Sequence, residues 1–190
     1  VADGVIEMIK GALAELRVGD PSQLETDVGP LIDAEAFAGI SAHIERLRRE
    51  ARLLAEGGKH DAGVANLVPP IAFEVKDFAE LKTEIFGPVL HVLRWGGAPE
   101  AVIEKINGLG YGLTMGIQTR IDTRAEKLAE AARIGNVYVN RNIIGAVVGV
   151  QPFGGEGLSG TGPKAGGPNY LWRFVRPSFV PTRAAAASAL

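Results

Sequence analysis

The most informative stretch of this chain reads Gln151-Pro-Phe-Gly-Gly-Glu-Gly-Leu-Ser-Gly-Thr-Gly-Pro-Lys-Ala-Gly-Gly167. Seven of its seventeen residues are glycine, yet the other residues are too varied for a flexible linker. Glycine allows the backbone to adopt positive φ and lets other groups approach the main chain closely. The stretch therefore predicts either a shaped loop at a functional site or a tight packing corner.

The composition around this stretch is that of an ordinary globular protein. The chain has 190 residues, of which 46% are hydrophobic and 22% charged, and a chain of this length buries roughly 70% of the surface that its unfolded form exposes. The formal net charge of −2 argues against a nucleic-acid partner. No run approaches the roughly 20 apolar residues of a membrane span, and no signal peptide is visible. We therefore expect a cytoplasmic protein with no membrane span.

The absence of cysteine limits the chemistry of the chain. With no cysteine, the chain forms no disulfide or thiolate metal site and carries no cysteine nucleophile. Its histidines, His43, His60 and His91, are far apart in the sequence and show no ligand spacing. The sequence therefore predicts no metal site.

Strand-like and helix-like segments alternate along the chain. Periodicity predicts helices near 5–16, 33–54, 99–107 and 122–134, and strands near 66–75, 88–95, 113–119 and 137–140. Asp33 is the expected N-cap of the second helix, which we expect to end at Gly57-Gly58. This rhythm predicts an α/β domain with a mainly parallel sheet and flanking helices over 1–176. Residues 177–190 form a low-complexity tail that we expect to fray.

Two nucleotide-binding patterns occur in the glycine-rich stretch, and both are rejected. Gly155-Glu-Gly-Leu-Ser-Gly160 matches G-x-G-x-x-G, but no helix and no acidic residue follow at the required positions. Gly157 to Gly162 imitates a phosphate loop, but Pro163 stands where lysine is required. In a parallel sheet, binding sites collect beyond the carboxyl ends of the strands, and the stretch follows an apolar run at such a place.

The apolar run 143–150 that precedes the stretch allows two interpretations. Free main-chain N–H groups at Gly145 and Ala146 could hold a carboxylate, with each charge-assisted bond contributing roughly 1.5–3 kcal/mol. Alternatively, the run is a buried strand whose glycines permit close packing. From the residues alone, the buried strand is the favoured interpretation.

A second signature is Glu84-Ile-Phe-Gly-Pro88. The Gly87-Pro88 pair predicts a sharp bend, which would hold Glu84 and Phe86 in defined directions. A carboxylate there suits a ribose diol, because it can accept from both hydroxyls. Phe86 could pack on a flat ring, although core packing is the commoner fate of a phenylalanine, and a glutamate in a turn is usually only solvent-exposed.

Four motifs in order resemble those of the aldehyde dehydrogenase superfamily. They are Glu84-Ile-Phe-Gly-Pro88, Asn107-Gly-Leu-Gly-Tyr-Gly-Leu113, Val137-Tyr-Val-Asn140 and Pro152-Phe-Gly-Gly155. The likeness extends from the first helix to about Val175. The segment 137–167 is similar to one branch, the L-glutamate γ-semialdehyde (Δ1-pyrroline-5-carboxylate) dehydrogenase module of bacterial proline utilization A proteins.

The resemblance implies an NAD-dependent oxidoreductase of proline catabolism that converts the semialdehyde to L-glutamate. It implies that Glu84 binds the nicotinamide ribose and that Phe86 lies near the nicotinamide. It further implies that Gly145 and Ala146 hold the α-carboxylate of this small-molecule substrate, which reverses the preference for a buried strand, and that Phe153 lines the aldehyde pocket. The family also implies a homo-oligomer.

The resemblance also implies that the catalytic residues lie outside this chain. The family's nucleophile is a cysteine, and we expect it upstream of Val1, together with the general-base glutamate, the oxyanion-hole asparagine and the dinucleotide-binding domain. Removing a covalent nucleophile can cost on the order of 10⁶ in turnover, so the chain alone is expected to be inactive. Two alternatives remain open: a non-catalytic interaction or oligomerisation module, and a dehydrogenase of another acidic semialdehyde.

Overall fold

The computed structural model describes residues 1–58, 63–144, 147, 149–160 and 162–175. The chain forms two compact units, Val1–Gly97 and Ala98–Leu190. The tail 177–190 lies outside the described residues, so its fraying stays a prediction. None of the helices in the described ranges is both long enough and apolar enough to cross a membrane.

The first unit places two helices beside a three-stranded sheet. Its elements are helices α1 (Ala2–Glu15) and α2 (Ala34–Glu50), strands β1 (Arg52–Glu56), β2 (Ile71–Val75) and β3 (Val89–Leu93), and a 3₁₀ turn (Phe78–Glu80). The strand order is β1-β2-β3. Strand β1 is antiparallel to β2, and β2 is parallel to β3.

The core of the first unit lies between α2 and β2. Ile40, Ile44 and Leu47 recur at four- and three-residue steps, so they share one face of α2, which packs in a cluster with Ile71 and Phe73 of β2. Phe73 is 0% exposed. This face of α2 therefore anchors the sheet, and with it β3.

Helix α2 begins at the predicted N-cap but ends earlier than predicted. The Asp33 side chain accepts from the Ala36 N–H at 2.7 Å, which confirms the predicted N-cap. The prediction that this helix continues to Gly57 is wrong, because it ends at Glu50 and the next residues form β1. Strand β1 pairs with the buried strand β2, and this sheet pairing outweighs the local helical periodicity.

The second unit combines two helices with short strands. Its elements are helices α3 (Pro99–Gly108) and α4 (Asp122–Ala131), strands β4 (Tyr111–Gly112), β5 (Thr114–Ile117), β6 (Asn136–Val139) and β7 (Glu156–Gly157), and a 3₁₀ helix (Tyr170–Phe174). Strand β5 is parallel to β6, and β4 is antiparallel to β7. The core of this unit is formed by Ile103, Ile117, Ala125 and Leu128.

The described strands do not bear out the prediction of a mainly parallel sheet. Of the four strand pairings, two are parallel and two are antiparallel. A parallel neighbour requires a long crossover connection, usually a helix. Between β1 and β2, the described part of 57–70 contains no helix, and these strands run antiparallel. The sequence rhythm thus predicts the α/β character of the chain better than the direction of each strand.

Candidate functional site

The segment from Glu84 to Phe86 lies between the 3₁₀ turn of the first unit and β3. Glu84 is exposed, and its carboxylate makes no hydrogen bond or ion pair to any residue that the structure describes. Phe86 is 86% exposed, so it does not pack in the core of its unit. The segment thus presents an uncommitted carboxylate and an aromatic ring to solvent.

The backbone at Phe86 has an uncommon conformation. Its φ is 55°, in the left-handed region that bulky residues rarely adopt. A conformation of this kind costs on the order of 1–3 kcal/mol and is concentrated at functional sites. The bend that follows Phe86 packs closely against α2, since a Cβ added to Gly87 would lie 2.5 Å from Cδ1 of Ile40. The Pro88 carbonyl, at the end of the bend, accepts from the Ile71 N–H of β2 at 2.9 Å.

In the second unit, the glycine-rich stretch forms a loop that Phe153 and Ala165 close. The Phe153 N–H donates to the Ala165 carbonyl at 3.0 Å, and the Ala165 N–H donates to the Phe153 carbonyl at 2.8 Å. These two bonds form an antiparallel bridge between the ends of the stretch. Phe153 is half-buried. The stretch is therefore a shaped loop, as its varied composition predicts.

Side chains fasten this loop to the start of β6. The Asn136 amide donates to the Pro152 carbonyl at 3.0 Å and accepts from the Gly154 N–H at 3.2 Å. The Lys164 ammonium donates to the Gly135 carbonyl. A side chain at Gly135 would collide with the Gly154 carbonyl, so the close approach requires glycine there.

The middle of the stretch is fastened to β4. The Leu158 N–H donates to the Gly110 carbonyl at 2.9 Å, and the Ser159 hydroxyl accepts from the Gly112 N–H at 3.1 Å. Gly110 and Gly112 belong to the motif 107–113, so the second unit brings this motif into contact with the glycine-rich stretch.

Gly145 and Ala146 lie outside the described residues, so their carboxylate-binding role stays a prediction. Exposed apolar residues surround them in the sequence, namely Ile143 at 46%, Ile144 at 83%, Val147 at 59% and Val150 at 75%. The described residues of 143–150 contain no strand. For those residues, the interpretation of the run as a buried strand is wrong.

The structure also brings together two histidines that sequence spacing does not connect. Nε2 of His43 on α2 lies 3.0 Å from Nε2 of His91 on β3. Both line a cavity of about 700 Å³, together with Arg46, Glu50, Glu80, Leu81, Lys82, Thr83, Ile85 and Ala79. His43 follows Ile40 by three residues on α2. This helical spacing is the sequence signal that could have placed His43 on the face of α2 that packs against the sheet.

The surroundings of the histidine pair favour the neutral form of both rings. Burial lowers the pKa of His43, and the nearby His91 and Arg46 lower it further. Burial also lowers the pKa of His91, as does Arg46, whereas Glu80 acts in the opposite direction. In the described ranges, no group of three or more histidine, cysteine, aspartate or glutamate residues could hold a metal ion.

Comparison with known proteins agrees with the motifs. Residues 1–180 match the Aldehyde dehydrogenase family. The chain belongs to that family, which confirms the resemblance. It is 51% identical over 183 residues to the bifunctional protein PutA of Escherichia coli (strain K12), covering 92% of this chain and 14% of that protein. It is 38% identical over 172 residues to a 1-pyrroline-5-carboxylate dehydrogenase of Geobacillus sp. (strain WCH70), covering 90% of this chain and 33% of that protein.

Solved structures share the fold. A crystal structure of a Bradyrhizobium japonicum Proline Utilization A (PutA) mutant is similar with a TM-score of 0.88 and 51% sequence identity. The match covers 98% of this chain and 19% of that chain. It supports the α/β class. The chain thus spans only a minor part of the length of these relatives.

Proposed function

We propose that this chain is the C-terminal part of the catalytic domain of an NAD-dependent enzyme that oxidises L-glutamate γ-semialdehyde to L-glutamate in proline catabolism. Support comes from the names of its relatives, a bifunctional PutA and a 1-pyrroline-5-carboxylate dehydrogenase. The observation that carries the proposal is Phe86, an exposed aromatic residue at φ 55° that follows Glu84 by two residues, a glutamate whose carboxylate has no partner among the described residues.

The residues at this segment fit the proposed cofactor. An ionised carboxylate only accepts hydrogen bonds, so Glu84 can accept from both hydroxyls of the nicotinamide ribose. It has no competing partner among the described residues. The exposed ring of Phe86 offers an apolar face for the flat nicotinamide ring. When bound, NAD supplies the acceptor for the hydride.

We propose that an acidic aldehyde binds beside the glycine-rich loop of the second unit. In this proposal, the N–H groups of Gly145 and Ala146 bind the α-carboxylate of the substrate, and Phe153 lines the aldehyde pocket. The bonds from Asn136 and Lys164 support it, because they fix the loop on both sides of Phe153. Asn136 and Lys164 therefore act as positioning residues for this pocket.

The chain requires groups from elsewhere to complete the reaction. Oxidation through a thiohemiacetal needs a thiolate, and the chain has no cysteine. We propose that the N-terminal part of the same cytoplasmic enzyme supplies the cysteine, the general-base glutamate, the oxyanion-hole asparagine and the dinucleotide-binding domain. The isolated chain is then inactive.

A cluster of exposed apolar residues also favours a second candidate, a non-catalytic interaction or oligomerisation module. Leu171, Trp172 and Phe174 of the second 3₁₀ helix are 74%, 69% and 72% exposed. Large apolar side chains grouped in this way mark surfaces that pack against another polypeptide. In the enzyme proposal, the covering polypeptide is the remainder of the enzyme or a second copy in a homo-oligomer.

The test compares this chain with the product of the complete reading frame that contains it. The complete protein is expected to form NADH with L-glutamate γ-semialdehyde and the isolated chain to form none. Succinate semialdehyde serves as the competing acidic substrate. A preference for it would overturn the substrate assignment, and NADH formation by the isolated chain would overturn the proposed division of labour. No NADH from the complete protein with either aldehyde would favour the interaction module.

A further inference from the structure

Helix α2 contacts the segment that follows Phe86 at two places. At the first, Gly87 lies so close to Ile40 that an added Cβ would be 2.5 Å from Cδ1. At the second, Nε2 of His43 lies 3.0 Å from Nε2 of His91. Ile40 and His43 are three residues apart and share one helix face. The same face of α2 therefore holds the bend before β3 and the middle of β3.

The contact between the two imidazoles is a hydrogen bond that requires a particular protonation state. Their ring centroids are 5.2 Å apart and the rings are inclined by 73°. A neutral imidazole has one donor and one acceptor nitrogen, so one facing Nε2 must carry a proton and the other must not. If both rings were charged, both nitrogens would be donors and the bond would be lost.

Arg46 determines which ring donates. Its Nη2 lies 3.4 Å from Nδ1 of His43, and its Nη1 donates to Glu50 at 2.7 Å. Since a guanidinium only donates, Nδ1 of His43 faces it as an acceptor and Nε2 of His43 carries the proton. His43 is then the donor to His91.

Among the remaining charges around the pair, Glu80 favours the charged form of His91, but its carboxylate is shared with the 3₁₀ turn. Glu80 accepts from the N–H groups of Lys76 and Asp77 at 2.9 and 3.1 Å, so its Oε1 is committed to the 3₁₀ turn. Lys82 adds a further positive charge to the cavity. From β2, the register neighbour of His91 is Phe73, which is fully buried and uncharged.

We propose that His43 and His91 are positioning residues whose hydrogen bond holds the middle of β3 on α2 and thereby fixes Glu84 and Phe86 for cofactor binding. The cofactor part of this statement rests on the proposed function. The mechanical part, that the bond restrains the segment 84–91, does not. The two parts are therefore tested by different measurements.

The mechanical part is tested by hydrogen–deuterium exchange of the protein at neutral pH. His91→Leu removes the bond, whereas His91→Gln retains an uncharged donor and acceptor near the position of Nε2. We expect exchange of the amides in 84–91 to rise roughly five- to tenfold in His91→Leu, the change expected for one lost hydrogen bond, and to return towards the wild-type rate in His91→Gln. An equal rise in β2 would indicate general destabilisation and would overturn the proposal, as would no change in 84–91.

A pH series tests whether the hydrogen bond, rather than the packing of the side chain at position 91, restrains the segment 84–91. Protonation of both imidazoles breaks the bond in the wild type, but a glutamine at 91 cannot become charged. At the acidic end of the series, well below the ordinary histidine pKa of about 6.5, the segment 84–91 is expected to exchange faster in the wild type than in His91→Gln, and the difference is expected to vanish above about pH 7. The same ratio of rates at both pH values would contradict the proposal.

The cofactor part is tested in the complete enzyme. His91→Leu is expected to raise the KM for NAD several-fold with little change in kcat, and His91→Gln to restore it. If the wild-type enzyme forms no NADH, the proposed function fails while the exchange result still decides the mechanical part. If the wild type is active and His91→Leu changes exchange but not the KM for NAD, the cofactor part is wrong.

Discussion

The Asn140 side chain pairs with both backbone groups of Thr119. Its Nδ2 donates to the Thr119 carbonyl at 2.8 Å, and its Oδ1 accepts from the Thr119 N–H at 2.9 Å. The amide thus continues the pairing of β5 and β6 by one step beyond Val139. Asn140 also adopts a φ of 53°, a region that asparagine enters more readily than most residues. Both properties explain an asparagine at the end of the motif 137–140.

Asn140→Ala is therefore expected to destabilise the protein for two separable reasons. It removes two hydrogen bonds, each contributing about 1 kcal/mol, and it places a Cβ without a polar group in the left-handed region at a cost of about 1 kcal/mol. Asn140→Gly removes the bonds but relieves the backbone cost. Urea unfolding should therefore rank wild type above glycine above alanine. Equal stability of the two variants would contradict the backbone part of this account.

A second prediction concerns the close approach of Gly87 to Ile40. Gly87→Ala introduces a Cβ only 2.5 Å from Cδ1 of Ile40, so the Ile40 side chain, the helix or the bend must shift. Overpacking of this kind costs roughly 1–3 kcal/mol. Thermal or urea unfolding of the variant measures this loss.

Ile40→Val supplies the matched control, because it removes the Cδ1 that the new methyl group would meet. Alone, it should cost about 0.5–1.5 kcal/mol. In combination with Gly87→Ala it should recover part of the loss, so the double variant is expected to be more stable than the sum of the single effects indicates. Strict additivity would show that the two groups do not oppose each other.

The sequence predicts the motif segments better than the connections between them. The helical stripe that contains Ile40 and the N-cap at Asp33 are local patterns, and both appear as predicted. The end of α2 depends on pairing of β1 with a strand much later in the chain, which no local window contains. Likewise, the 48-residue separation of His43 and His91 conceals a contact that only the packing of β3 on α2 produces.

At the candidate site too, the sequence predicts local features but not the contacts between distant residues. The Gly87-Pro88 pair predicts the bend, but the left-handed φ of Phe86 has no local signal, since bulky residues rarely adopt it. The glycine content of 151–167 indicated a shaped loop. Its attachment through Asn136 and Lys164 required the fold, because single polar side chains of this kind give no periodic signal.

A third prediction is a loss of stability as the pH falls below about 6.5, the ordinary pKa of histidine. The pKa values of His43 and His91 are lowered in the folded state, mainly by burial, so the unfolded chain takes up protons first. Their contribution is complete above about pH 6.5 and is lost as the pH falls towards the folded-state values. Unfolding midpoints across this range measure the effect.

Carboxylates contribute in a separate, more acidic range. Hydrogen bonds from Arg94 and from Ser22 lower the pKa values of Asp3 and Asp20, so their effect on stability begins only near the ordinary pKa of aspartate and below. The double variant His43→Gln/His91→Gln should therefore flatten the dependence near pH 6 and leave the acidic limb intact. An unchanged profile in the double variant would assign the loss to other groups.

A fourth prediction concerns the attachment of the Phe153 loop. Asn136→Asp keeps an acceptor for the Gly154 N–H, but it replaces the donor to the Pro152 carbonyl with a negatively charged oxygen. We expect a loss of about 1–3 kcal/mol in stability and faster amide exchange in 151–157. Gln118→Glu is the comparison, since it removes another side-chain donor of the same unit, that to the Arg141 carbonyl, and should leave exchange in 151–157 unchanged.

The last prediction addresses Glu84 in the complete enzyme. Glu84→Gln removes the negative charge and one acceptor oxygen but preserves the size of the side chain. Loss of one charge-assisted hydrogen bond, roughly 1.5–3 kcal/mol, corresponds to a rise of about 10- to 150-fold in the KM for NAD. Glu104→Gln on α3 removes the same charge at another exposed position, and it should leave this KM unchanged. Because Glu84 makes no bond within the described residues, its replacement should not alter the unfolding midpoint. A fall in stability without a change in the KM for NAD would therefore place Glu84 in the fold rather than at the cofactor.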